Sequence, residues 1–169
     1  MTGRVRVALV PGVLALLPEY ASLRDPIAEL RAAIDTATSW LGGDVEIIAT
    51  EQGRRVAECA LAARTGAAAA ADAERSILVV LNGSACRTEK APGFFDERAE
   101  VFDASLRAAL ATPAPEALRQ VDVTLANELW ADVAALPQLA DLLTGARTVS
   151  VDHDAAPYGV QYWVMRWEL

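Results

Sequence analysis

The chain has 169 residues, 53% of them apolar, and a net charge of −8, the make-up of one ordinary globular domain rather than a disordered segment. Lys90 is the only lysine and the arginines are scattered, so neither nucleic acid nor an anionic membrane surface is expected as a partner. One histidine, His153, falls short of the two or three imidazoles that zinc and non-haem iron sites usually take, and two cysteines, Cys59 and Cys86, are too few for a disulfide scaffold.

Met1 to Val10 has neither a long apolar core nor a small-residue cleavage site, and no apolar run reaches membrane-spanning length; a single domain over residues 1–169, soluble and cytoplasmic, is expected. Val5 to Val10 reads as a strand closed by Pro11-Gly12. Asp25-Pro26 is expected to cap and open a helix carrying Ile27, Leu30, Ile34, Ala37 and Leu41, stopped by Gly42-Gly43. Val45 to Ala49 reads as a second strand and Arg54 to Arg64 as a short helix. The alanine-rich Gly66 to Asp72 reads as helix extension or loose connection. Ser76 to Leu81 is the clearest buried strand.

The second half reads as mostly helical. Asp96 is expected to cap a helix to Leu110 burying Val101, Phe102, Leu106 and Ala109; Pro115 opens another; Leu125, Leu129, Trp130 and Val133 mark a third; Pro137 interrupts before Leu139, Leu142 and Leu143. Two strands follow, near Arg147–Val151 and Tyr158–Trp167. The last sets Val160, Tyr162 and Val164 on one face and Trp163, Met165 and Trp167 on the other, so it is either central or covered by another chain, which admits a homodimer. Strands alternating with helices and carrying continuous apolar runs predict a three-layer α/β sandwich with a mostly parallel sheet and antiparallel C-terminal strands.

In such sheets ligands gather beyond the carboxyl ends of the strands. Asn82-Gly83-Ser84 is expected to turn successive N–H groups towards an anion, with Arg87, Glu89 and Lys90 as further binding residues and Ser84 or Cys86 as a nucleophile if a base lies near. Asp152-His153-Asp154 is the other chemically notable strand end; plain strand alternation puts the two aspartates on one side and His153, a further catalytic candidate, on the other. Glu19 and Tyr20 suit the same mouth or a helix entry. Nucleotide and flavin motifs are absent, and no cofactor is expected.

Three segments resemble one family. Pro11-Gly12-Val13-Leu14-Ala15-Leu16-Leu17-Pro18-Glu19 resembles the opening P-H-P-P-x-x-x-P-E of the LigB-like class III extradiol dioxygenase family of actinobacteria. The stretch from Asn82 to Asp96 resembles their D-G-S-A-R-R-S-E-K-A-P-G-Y-x-D, and Asp154 to Trp163 their closing D-x-A-P-Y-G-V-x-Y. The resemblance implies an extradiol ring-cleavage scaffold on which two histidines and a carboxylate hold ferrous iron. Gly12 stands where the first of those histidines is expected, so the resemblance implies a shortened member without the iron ligands, its missing length falling near Gly66–Asp72. The expected function is a non-catalytic small-ligand-binding or assembly protein taking a small anionic or aromatic molecule. The alternatives are an enzyme using the Asn82–Lys90 loop on an anionic substrate, or residual ring cleavage at a non-standard metal site, including one shared by His153 of two chains.

Overall fold

The computed structural model describes residues 3–66 and 73–169, so the alanine tract after Gly66 lies outside the described residues. Five strands, β1 (Val5–Val10), β2 (Val45–Ile48), β3 (Arg75–Val80), β4 (Thr148–Ala155) and β5 (Tyr162–Glu168), form one sheet in the order β2-β3-β1-β5-β4. β1, β2 and β3 are parallel, whereas β5 runs antiparallel to both β1 and β4. Among the described residues six helices cover it: α1 (Ala28–Leu41) and α2 (Glu51–Ala63) on one face, α3 (Arg98–Ala111), α4 (Pro115–Arg119), α5 (Val123–Glu128) and α6 (Leu136–Leu143) on the other. The chain is a three-layer α/β sandwich with the expected strand directions.

The side-chain alternation of each strand divides the interior in two. Val7, Leu9, Ile77 and Val79 join α3 to α6, while Ala8, Val10, Leu78 and Val80 join α1 and α2. β5 follows the same rule as its sequence pattern implies, with Trp163, Met165 and Trp167 on the first side and Tyr162 and Val164 on the second. Both apolar faces of this strand are covered within the chain, which removes the ground on which a homodimer was expected.

Several local expectations need correction. α1 begins at Ala28, because the Asp25 carboxylate accepts the Ile27 N–H and holds Pro26-Ile27 as a turn ahead of the helix. α2 starts earlier than expected, at Glu51, where the Thr50 hydroxyl accepts the Gly53 N–H as an N-cap. Val101 points to solvent. The helix through Leu125 ends at Glu128, with Trp130 past its end at φ 59° and the Ala131 N–H turned back to the Ala126 carbonyl. Pro137 opens α6 rather than interrupting a helix, since a first-turn residue has no helical partner for an N–H. Tyr158 lies outside the last strand, in a 3-10 turn over Pro157–Gly159.

Trp167 is fully buried and its indole N–H donates to the Leu110 carbonyl at 3.2 Å, joining β5 to α3. Trp167→Ala is expected to cost about 3–5 kcal/mol in urea unfolding, as for other large core truncations; a loss below about 1 kcal/mol would show that β5 is not a core strand.

Candidate functional site

The chain leaves β1 for the α1–α2 face and leaves the adjacent β3 for the α3–α6 face. Neighbouring strands whose connections part in this way open a crevice beyond their carboxyl ends. By that rule the crevice is expected between Pro11-Gly12 and Asn82. The Asn82 side chain spans it: its Oδ1 accepts the Gly12 N–H at 2.8 Å, and its backbone N–H donates to the Asp132 carbonyl at 3.0 Å. The Thr50 hydroxyl approaches the Asp132 carboxylate at 3.5 Å, so the end of β2 reaches the same place. The polar groups meeting here are one carboxylate, one amide and one hydroxyl.

Gly12 is buried in close-packed surroundings. A Cβ there would stand 3.1 Å from Val80 Cγ1 and 3.6 Å from Gly53 Cα in the first turn of α2. Gly12 supplies no ligand, and Thr50, Asn82 and Asp132 supply no imidazole, so the donor set does not fit the two histidines and one carboxylate of a ferrous facial triad. Among the described residues no three His, Cys, Asp or Glu side chains are grouped to hold a metal ion.

The loop after β3 turns its polar groups inward. The N–H groups of Gly83, Ser84, Ala85 and Arg87 donate to the Gln161 carbonyl, the Asp103 carboxylate, the Leu129 carbonyl and the Gly159 carbonyl. The expected anion-binding concavity is thereby filled by the protein's own acceptors. Ser84 is fully buried and its hydroxyl donates to Asp103 Oδ2 at 2.6 Å. The Arg87 guanidinium donates to Asp103 and Gln161, both at 3.3 Å, and lies 3.8 Å from Glu100. Glu89 and Lys90 are exposed. Cys86 is buried, its thiol donates to the Gly93 and Leu129 carbonyls, and desolvation, helped by Asp96 and Asp103, raises its pKa. A raised, enclosed thiol is a poor nucleophile.

His153 does not join the crevice. β4 continues to Ala155, so Asp152-His153-Asp154 lies within the strand and not beyond its end. A bulge between Val151 and His153 adds a residue to the strand and reverses the expected alternation. Asp152 pairs with Arg166, which lies over Trp40 on the α1 face, whereas Asp154 turns to the other face, accepting from the Trp163 indole and the Gln161 amide and pairing with Arg107 of α3. His153 stands opposite Val164, two strands from β1, on the order of 10 Å at ordinary strand spacing. Glu19 pairs with Arg55 at 2.9 Å.

Compared with known proteins, the chain matches no family model and no curated protein. The LigB-like resemblance therefore rests on the three sequence segments alone.

Residues outside those segments complete the site: Asp132 and Thr50 at the crevice, Asp103 beneath the loop. Asp103 carried a readable signal, since it falls on the stripe of Ala99, Phe102 and Leu106 that α3 buries, where a carboxylate needs partners. Its pKa is raised above the ordinary 3.8, mainly by desolvation, against the lowering effects of Ser84 and Arg87. An acid with a higher pKa folded than unfolded adds stability below its ordinary pKa and loses it as pH rises through the raised value. The stability of Asp103→Asn relative to the parent is therefore expected to grow as pH rises from about 4. A difference constant between pH 3 and 8 in urea unfolding, roughly the span over which a shifted carboxyl titrates, would contradict this. Cys86 is expected to resist iodoacetamide in the native protein and to react in urea; labelling at the rate of a free peptide thiol would contradict its enclosure.

Proposed function

We propose that the chain is a LigB-like α/β domain that binds a small, neutral, hydrogen-bonding molecule in the crevice beyond β1 and β3 and does not cleave aromatic rings. The observation that carries this reading is the packing at Gly12: the position that the resemblance assigns to an iron-binding histidine lies under Val80 and the first turn of α2, bridged by the Asn82 amide. An anion is a poor fit, because the Asp132 carboxylate borders the crevice while Arg87 is committed to Asp103, Gln161 and Glu100. The enclosure of Ser84 and Cys86 argues against the alternative of nucleophilic catalysis by the Asn82–Lys90 loop. The reading includes a cytoplasmic location, supported by two cysteines that form no disulfide.

Amide NMR with a library of small neutral amides, alcohols and sugars tests it. Binding is expected to shift Gly12, Asn82 and Asp132 together and to be lost in Asn82→Ala. Binders that instead shift Arg87 to Lys90, or no binders at all, would overturn the reading. Gly12→His is expected to lose about 1–3 kcal/mol of stability by overpacking against Val80; a variant as stable as the parent would show that the crevice has room for the imidazole.

A further inference from the structure

A cavity lined by none of Gly12, Thr50, Asn82 and Asp132 lies in the helical layer. It is an open groove of about 570 Å³ between α3 and the α4–α5 segment, within the range of small-molecule sites. Its floor is Phe102 and Leu106, and Ala117, Val121 and Leu125 form the opposite wall. Val101, which the sequence pattern assigns to the core, forms the near wall and is left 70% exposed.

The charges at the rim are one-sided. Among the described residues that line the groove Arg98 is the one cation, and it is held by two carboxylates, Asp96 at 2.7 Å and Glu128 at 2.8 Å. Glu97 adds a further negative charge, and Asp122 adds another while its Oδ1 caps α5 by accepting the Leu125 N–H. Arg119, just beyond, is likewise shared by Glu116 and Asp141. The cations around the groove are thus outnumbered by carboxylates, in a chain whose net charge is −8. An apolar trough with a negative rim complements a molecule with an apolar body and a positive head, and it repels an apolar carboxylate.

We propose that this groove binds a small amphiphilic ammonium compound, its chain between Val101 and Leu125 and its head near Glu97 and Asp122. Three probes of equal chain length, decyltrimethylammonium, decanol and decanoate, titrated below their micelle-forming concentrations and followed by methyl NMR of the full chain, test this. The ammonium is expected to bind saturably at one site, shifting Val101 and Leu125, with decanoate at least about tenfold weaker, the size expected from losing two partly exposed charge contacts and gaining repulsion. Glu97→Gln combined with Asp122→Asn keeps the helix cap and is expected to weaken the ammonium severalfold without affecting decanol. Ser105→Trp, on the exposed turn of α3 that borders the groove, is expected to block all three. Equal affinity for the three probes, no saturable binding, ammonium binding unaffected by the charge variant, or binding that persists in a folded Ser105→Trp would overturn the proposal.

Discussion

Where the chain crosses from one face of the sheet to the other governs what this molecule can bind. The connection after β1 goes to the α1–α2 layer and the one after β3 to the α3–α6 layer, so the backbone parts between two hydrogen-bonded strands and leaves Gly12 facing Asn82. The opening is a consequence of topology. What occupies it is a consequence of side chains, and here a glycine packs against Val80 and the first turn of α2. A side chain at position 12 would require Val80 to give by a few tenths of an ångström.

Around that opening the fold gathers its polar interior. Asp103 holds the backbone and hydroxyl of Ser84 and receives Arg87, and Gln161 carries the chain of contacts on to Asp154, which in turn meets Arg107 and Trp163. Buried polar groups tolerate removal from water only when each finds a partner. This network meets that condition by drawing α3, β4, β5 and the loop after β3 into one arrangement. Of the residues that make the loop look reactive, the serine and the arginine are consumed by this arrangement, and the Cys86 thiol donates to the Gly93 and Leu129 carbonyls. Lys90 and Glu89, left outside it, stand exposed.

The layers, strand directions and two-faced last strand were legible because apolar runs and alternation carry them directly: the β5 pattern from Tyr162 to Trp167 sorts its apolar side chains between the two cores without exception. Boundaries were less legible where a side chain redirects the backbone, as Asp25 does before α1 and Thr50 before α2. The bulge in β4 left no mark on the pattern, and one extra residue sent Asp152 and Asp154 to opposite faces. The crevice was legible in part. Gly12 and Asn82 follow strand ends and drew notice for that reason, while Thr50 and Asp132 come from distant segments whose approach depends on how α2 and the α5–α6 connection pack.

The central claim is that this α/β scaffold offers no site for a redox-active iron at its switch-point crevice. Anaerobic titration with Fe(II), followed by oxygen uptake on a series of catechols, addresses it most directly. The account predicts neither a stoichiometric, tightly held iron nor uptake above that of free metal. One iron per chain, lost on substitution of Asp132 or Asn82 and accompanied by ring cleavage, would contradict it.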